Sequence, residues 1–235
     1  MRHYQVRYVM TANPLTVTPA TPLKEVADML VKRQIGVVPV LTPARRVAGV
    51  VTEADLLRKE QLQWDPDGQH SGHLPYRTRR AIATAETAGE IMNSEPATVR
   101  ADATVAEAAR LMDRHQTRCL LVTGEGRKLL GVVSARDLLR VFLRPDTAIR
   151  ADVVDDVLAG YLGTNPALVQ VDVTDGVVRL AGELERRSML KLLLPAVRAV
   201  DGVIDVETRL DYAIDDTRLL HDGGQLETAK SRELA

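Results

Sequence analysis

A chain of 235 residues with 45% hydrophobic and 27% charged residues can form one globular domain or two to three small ones. Its formal net charge of −1 gives no bulk attraction to nucleic acid or an anionic membrane, and 3% aromatic residues disfavour a base-stacking surface. The single cysteine, Cys119, excludes an intrachain disulfide, and no apolar run approaches the roughly 18 residues of a membrane span. We therefore expect a cytoplasmic protein with neither nucleic acid nor membrane as a partner.

The first part of the chain contains an internal repeat. Residues 9–57, the first repeat, align without a gap with residues 91–139, the second repeat, at a constant offset of 82 positions. The matching pairs include Met10 and Met92, Pro14 and Pro96, Thr16 and Thr98, Glu25 and Glu107, Val40 and Val122, Gly49 and Gly131, and Asp55 and Asp137. An ungapped match of this length indicates a duplication.

Each repeat predicts the order strand, helix, strand, strand, helix. In the first repeat the helix carries apolar residues at Leu23, Val26, Ala27 and Leu30, which is the spacing of one helix face. The two later strands are β-branched and apolar, and a polar turn joins them. One such unit is too small to cover both faces of its sheet, so we expect the repeats to pack about a pseudo-two-fold axis. That packing would create two equivalent clefts between them.

A hydroxyl and a carboxylate follow the last strand of each repeat, as Thr52 with Asp55 and Ser134 with Asp137. At a helix N-terminus the hydroxyl and the backbone amides can bind a phosphate, and the carboxylate can accept hydrogen bonds from ribose hydroxyls. The same spacing is also close to a capping box, with Asp in place of Glu or Gln. The two roles can coexist, because a ligand can replace contacts that a cap would make.

The duplicated unit resembles a tandem pair of CBS domains, also called a Bateman module. The residues that carry the resemblance are Met10-Thr11 and Met92-Asn93, the Thr-Val pairs, the block from Gly36 to Val40, and Gly-x-x-[Thr/Ser]-x-x-Asp. The resemblance implies clefts that bind an adenosine-type ligand such as AMP, ADP, ATP or S-adenosylmethionine, with no catalytic cofactor. It also implies a homodimer formed through the CBS pair.

The resemblance assigns roles to particular residues of this chain. Thr52 and Ser134 match the hydroxyl on the phosphate side, and Asp55 and Asp137 match the ribose-binding carboxylate. The positions near the base pocket are Thr16, Val38, Pro39, Thr98 and Leu120.

The two repeats differ in charge around the motif. Arg118 stands where the first repeat has Gly36, and Arg136 stands where it has Ala54. Two guanidinium groups near Ser134 and Asp137 suit phosphate binding, although solvated surface arginines are an equally good interpretation. We therefore predict that the Ser134/Asp137 site binds an anionic nucleotide better than the Thr52/Asp55 site.

Between the repeats, the polar stretch from Trp64 to His73 predicts a loop. Trp64 either packs over the base of this loop or is exposed for a partner, and we favour packing. His70 and His73 lack a nearby cysteine or a second acidic pair, so we predict no metal site.

The second motif helix is predicted to continue to Arg144-Pro145-Asp146-Thr147, which ends it, and the apolar pattern changes after Phe142. Residues 149–158 predict a helix, Asp175-Gly176 a hairpin turn, 185–200 a second helix, and 203–210 a last strand. This αββαβ plan resembles a BON domain, on Asp175-Gly176-Val177-Val178-x-Leu180-x-Gly182 and Val200-Asp201-Gly202-Val203. The BON family implies a phospholipid- or ligand-binding module without catalytic chemistry.

These observations predict an α/β (α+β) fold in five segments. They are a first CBS repeat (1–60), a linker or loop (61–88), a second CBS repeat (89–145), a BON-like domain (149–212) and a disordered tail (213–235). The predicted function is non-enzymatic: the CBS pair senses an adenine nucleotide and signals to the BON-like domain or an unknown protein partner. The alternative is a membrane-associated scaffold that binds phospholipid through the BON-like part.

Overall fold

The computed structural model describes residues 4–64 and 75–217. Within this range the chain divides into two compact units. The N-terminal unit is residues 5–138, and the C-terminal unit is Tyr4 with residues 139–217. His70 and His73 lie outside the described residues, as does the tail beyond residue 217.

The N-terminal unit contains both repeats. Its elements are α1 (Val6–Val9), β1 (Thr11–Ala12), α2 (Leu23–Arg33), β2 (Val37–Leu41), β3 (Val47–Thr52), α3 (Glu53–Trp64), α4 (Tyr76–Thr84), α5 (Ala88–Ile91), β4 (Thr98–Arg100), α6 (Val105–Arg114), β5 (Cys119–Thr123), β6 (Leu129–Ser134) and α7 (Ala135–Leu138). Antiparallel hairpins form from β2 with β3 and from β5 with β6. Each hairpin packs against the helices of its repeat, as the apolar pattern predicts.

The leading segment of each repeat crosses over to the other repeat. Thr11 in β1 pairs with Val132 in β6, and the equivalent Asn93 pairs with Val50 in β3. The Val6 amide donates to the Ala103 carbonyl at 2.8 Å, and the equivalent Ala88 amide donates to the Thr21 carbonyl at 2.9 Å. The first repeat's core consequently contains side chains that precede the second repeat. Its members are Val17, Leu23, Val26, Leu30, Val38, Val40, Val51, Ala85, Ala88 and Ile91.

The repeats meet about a pseudo-two-fold axis, as predicted. Arg46 pairs with Lys128, its own equivalent in the other repeat. A separate apolar cluster joins the two hairpins and contains Leu41, Val47, Val50, Leu121 and Val132. This inter-repeat cluster contains side chains from β2 and β3 in the first repeat and from β5 and β6 in the second.

Close approach at the crossover explains one glycine in each repeat. A Cβ on Gly49 would lie 2.7 Å from the Asn93 carbonyl oxygen and 2.7 Å from Met92 Sδ. A Cβ on Gly131 would lie 2.7 Å from the Thr11 carbonyl oxygen. Because backbone atoms fill the space at both positions, only glycine fits without a shift of the neighbouring backbone.

The region between the repeats is more helical than predicted. α3 continues to Trp64, and α4 covers half of the predicted linker that the structure describes. The prediction that Trp64 packs over the loop base is wrong, since its side chain is 83% exposed and donates to Glu60 at 3.0 Å.

The C-terminal unit has the predicted αββαβ order. Its elements are α8 (Asp146–Asp152), a π-helix (Val153–Tyr161), β7 (Val169–Thr174), β8 (Val177–Arg186), α9 (Ser188–Arg198) and β9 (Asp205–Ile214). The sheet order is β7-β8-β9, with β8 antiparallel to β7 and parallel to β9. Membership of the BON family stays a prediction.

The C-terminal unit extends beyond the predicted limits of 149 and 212. It begins at Leu139, and β9 runs to Ile214. Asp216 then accepts hydrogen bonds from both the backbone amide and the hydroxyl of Ser188 at the start of α9. The residues after the last strand therefore complete a helix N-terminus, a role that tail-like composition did not reveal.

Candidate functional site

The hydroxyl–carboxylate pair has the same geometry in both repeats. Thr52 Oγ1 donates to Asp55 Oδ2 at 2.7 Å, and the Thr52 amide donates to the same oxygen at 2.8 Å. Ser134 Oγ and the Ser134 amide donate to Asp137 Oδ2 at 2.7 and 2.9 Å. In each pair the aspartate amide lies 3.3 Å from the hydroxyl oxygen. The predicted capping role is therefore confirmed in both repeats.

The sheet register places the motif hydroxyl on the face opposite the helices. Val38, Val40 and Val51 belong to the core beneath the helices, so their neighbours one residue away face the other repeat. Thr52 pairs with Val37, and Ser134 pairs with Cys119. Thr98 pairs with Leu121, which belongs to the inter-repeat cluster. The motif hydroxyls and the β4 threonine therefore share a face that is directed toward the repeat junction.

Each repeat thus contributes one candidate cleft. We call the surroundings of Thr52 and Asp55 the first cleft, and those of Ser134 and Asp137 the second cleft. All four motif residues are half-buried, so they are neither enclosed in a core nor fully solvated. Thr16 is half-buried, while Thr98, Arg118 and Arg136 are exposed.

Two residues predicted to lie near the base pocket have side chains that are buried away from the clefts. Val38 and Leu120 are each 0% exposed, and Val38 packs within the first repeat's core. Both side chains face the core, because successive side chains in a strand alternate between faces. The cleft-side residues are instead Val37 and Pro39 in the first repeat, and Cys119 and Leu121 in the second. Pro39 is on the predicted face but buried, and a main-chain role for Val38 and Leu120 stays a prediction.

Cys119 was not predicted as a cleft residue, although the two-residue strand period puts it on the face opposite Leu120. The register of the hairpin pairs it with Ser134. Burial raises the pKa of the Cys119 thiol to about 12, and the negative charge of Asp137 contributes to the same shift. A thiol with this pKa is almost entirely protonated at neutral pH, which makes it a poor nucleophile.

Glu53 is a second residue that the sequence did not single out. Its amide donates to the Gly36 carbonyl at 3.3 Å, and its carboxylate Oε2 lies 3.7 Å from the position of a Cβ on Gly36. In the second repeat the Ala135 amide donates to the Arg118 carbonyl at 2.9 Å. These backbone bonds join the strand entry to the motif, so the side chains at the two positions are neighbours.

The second motif helix is shorter than predicted. α7 ends at Leu138 and a 3₁₀ segment covers Leu139–Leu143, whereas the sequence predicts one helix up to Arg144-Pro145. With a four-residue helix, the dipole contributes little to anion binding there, so the arginines become the main candidate cations.

A depression of about 610 Å³ lies elsewhere, along the outer side of α2. Its lining residues are Pro22, Lys24, Glu25, Ala27, Asp28 and Val31, and none of them belongs to either cleft. Among residues 4–64 and 75–217, no three metal-ligating side chains are grouped together. No helix in the same range is long and apolar enough to cross a membrane.

The family model for the CBS domain matches residues 6–61 and 88–144. These segments are a tandem pair of CBS domains. The matched segments include both motif pairs and both crossover segments described above.

Known proteins share the CBS pair at low identity. An uncharacterised protein of Methanocaldococcus jannaschii, MJ1404, is 27% identical over 142 residues, which cover 60% of this chain and 32% of that protein. Inosine-5′-monophosphate dehydrogenase of Rhodopirellula baltica is 28% identical over 126 residues, covering 54% of this chain and 20% of the enzyme. The chain thus spans less than a third of either relative.

Among solved structures, CBSX2 in complex with AMP is 25% identical. The alignment covers 60% of this chain and 96% of that one, with a TM-score of 0.48.

Proposed function

We propose that this chain is a non-enzymatic regulatory protein whose CBS pair binds an adenosine-type ligand in the clefts between the repeats. The observation that carries the proposal is the repeated pair of a hydroxyl and a carboxylate, with matching hydrogen bonds in both repeats. A hydroxyl donor beside a half-buried carboxylate suits a phosphate oxygen next to ribose hydroxyls.

The second cleft is the stronger candidate for an anionic nucleotide such as AMP, ADP or ATP. Arg118 and Arg136 are exposed, and neither forms an ion pair within the described part of the chain. Their guanidinium groups are therefore available for phosphate oxygens, which arginine binds in a bidentate manner. The accessible residues Thr16 and Thr98 remain candidates for contacts with the base, while Pro39 is buried.

The Cys119 environment supports a binding role rather than a catalytic one. A nucleophilic cysteine requires a lowered thiol pKa, whereas burial and Asp137 raise this one to about 12. The Ser134 hydroxyl donates a hydrogen bond to the Asp137 carboxylate, which also accepts one from the Ser134 amide. This is the geometry of a cap.

A thermal-shift screen with AMP, ADP, ATP, S-adenosylmethionine and NAD tests the proposal. A ligand that binds only the folded state raises the melting temperature, and the rise should be smaller for Asp137→Ala than for the unsubstituted chain. Asp113→Ala, which removes an exposed carboxylate near the end of α6, is the matched control. The proposal fails if none of the five ligands, at about 1 mM, raises the melting temperature.

The proposed signal passes to the C-terminal unit. The chain runs from α7 directly into the 3₁₀ segment with which that unit begins. Immediately afterwards, Arg144 donates to the Asp201 carbonyl at 2.7 Å and forms an ion pair with Asp152 at 2.6 Å. A displacement of α7 by ligand would therefore act on an anchored segment rather than on a flexible linker.

A homodimer through the CBS pair belongs to the same proposal. Leu57 on α3 is 65% exposed, so it can pack against a second copy. In size-exclusion chromatography with light scattering, Leu57→Glu should give a monomer. Val31→Glu, at a 77% exposed residue on α2, should leave the dimer intact. A dimer that survives Leu57→Glu would exclude this surface.

A further inference from the structure

At one pair of neighbouring positions, the first repeat carries a negative charge and the second carries a positive charge. The first repeat has Gly36 and Glu53, and the second has Arg118 and Ala135 at the equivalent places. A backbone hydrogen bond joins the two positions in each repeat, at 3.3 Å in the first and 2.9 Å in the second. Any difference in side-chain chemistry therefore falls at the same point of two related clefts.

In each repeat, the position that carries the charged side chain lies next to a small residue at the other position. In the first repeat the Glu53 carboxylate is 3.7 Å from the place where a side chain at position 36 would begin, so it lies against the bare glycine backbone. In the second repeat Ala135 has no atom beyond Cβ, which leaves that space open to the stem of Arg118. The Glu53 carboxylate in the first cleft thus lies next to the position at which the Arg118 side chain begins in the second cleft.

The neighbouring motif positions increase the contrast. Glu53 and Asp55 give the first cleft two negative charges, and Ala54 adds none. In the second cleft, Arg118 and Arg136 outweigh the single negative charge of Asp137. Glu53, Arg118 and Arg136 are exposed, so the charge on each side favours a ligand of opposite sign, and added salt weakens that preference.

We propose that the two clefts select adenosine-type ligands by charge. The second cleft takes a ligand that carries phosphate, and the first takes one that is uncharged or cationic beyond the ribose, such as a nucleoside or a sulfonium. This inference rests on the proposed function, because it assumes that the clefts bind adenosine-type ligands.

Glu53 also has a simpler role, as an acidic residue in the first turn of the twelve-residue helix α3. A carboxylate there stabilises the helix whether or not a ligand binds. In that case, replacing Glu53 would change the melting temperature of the free protein and leave the ligand preference unchanged.

Adenosine and AMP form a suitable pair of probes, since they differ only in the phosphate. Titration calorimetry on the full chain should find one AMP site per chain, which Asp137→Ala removes. It should also find an adenosine site that Asp55→Ala removes. The double substitution Gly36→Arg/Glu53→Ala gives the first cleft the second cleft's residues at this one pair of positions. It should raise AMP affinity there about tenfold, to two measurable AMP sites.

The reverse double substitution, Arg118→Gly/Ala135→Glu, should lower AMP affinity at the second cleft about tenfold and leave adenosine binding at the first unchanged. Glu60→Ala, which removes a carboxylate further along α3, is the charge control and should not change either affinity.

Two outcomes overturn the inference alone: equal AMP affinities at both clefts of the unsubstituted chain, or no change in AMP stoichiometry and affinity on the double substitutions. If neither adenosine nor any nucleotide binds the unsubstituted chain, the proposed function fails as well.

Discussion

In the first repeat the motif helix runs for 12 residues, from Glu53 to Trp64, whereas in the second repeat it stops after 4, at Leu138. The motif bonds immediately before the two helices nevertheless agree to within about 0.1 Å in length. The local cap therefore does not depend on the length of the helix that follows it. Duplication has preserved the strand, the cap and the crossover, while helix length and local charge have diverged.

The largest expected effect tests whether the residues beneath the two clefts are equivalent core positions. Leu120→Ala should lower the free energy of unfolding by about 3 kcal/mol and Val38→Ala by about 2 kcal/mol, because both side chains are 0% exposed. Urea denaturation measures both losses. Thr98→Ala is the exposed control and should have little effect. A loss below about 1 kcal/mol for Leu120→Ala would contradict the core assignment.

The next effect tests the crossover. Gly49→Ala and Gly131→Ala should each cost about 2 kcal/mol of unfolding free energy, because the added Cβ meets backbone oxygens of the other repeat at 2.7 Å. In Gly124→Ala, the control, the Cβ would meet only the tip of the Leu130 side chain at 3.3 Å. Substantially unequal losses at Gly49 and Gly131 would show that the two crossovers are not equivalent.

A pH series distinguishes Cys119 from its equivalent, Val37. The folded-state pKa of the thiol is raised from 9.0 to about 12, so its contribution to stability is present below pH 9 and is lost as the pH rises toward 12. At pH 10.5 the unsubstituted chain should have lost at most about 2 kcal/mol through this group, and Cys119→Val should lack that loss.

The control is the pair of variants compared at pH 7, where their stabilities should be similar. A parallel loss of stability in both proteins between pH 8 and 10.5 would show that other groups dominate the alkaline range.

The smallest effect compares the two caps. Thr52→Ala and Ser134→Ala should each cost about 1 kcal/mol, because each removes the hydroxyl that donates to the motif carboxylate. Ser94→Ala, at an exposed turn position, is the control for removing a hydroxyl. Helical circular dichroism should fall more for Thr52→Ala, since α3 is the longer helix. An equal fall would show that the part of α3 beyond its first turn does not depend on the Thr52 cap.

Much of the fold could be predicted because the repeat supplies its own alignment. The 82-residue offset located the strands, the turn and the motif in both repeats, and the structure places Arg46 opposite Lys128 as a pseudo-two-fold axis requires. Alternating valines and the Asp175-Gly176 turn gave the hairpin of the C-terminal unit, where both turn residues have positive φ.

Other features depend on contacts that a linear pattern does not contain. An alignment of repeats cannot say which core receives Ala88 and Ile91, because both repeats offer equivalent apolar space. Val37 and Val38 are both apolar and β-branched, so the sequence does not reveal which of the two faces the cleft. The end of α7 was missed because Val141 and Phe142 fit a helical stripe, although β-branched and aromatic residues weaken a helix.

The exchange of leading segments has a consequence for how such a molecule could arise. A shorter ancestor with one repeat would have its own α1-type helix, but that helix would join a neighbouring molecule. Here Ala88 belongs to the first repeat's core, and the Val6 amide donates to Ala103 of the second repeat. Only a swapped pair of molecules would then be complete. Gene duplication and fusion would place both halves on one polypeptide, after which each cleft could evolve separately.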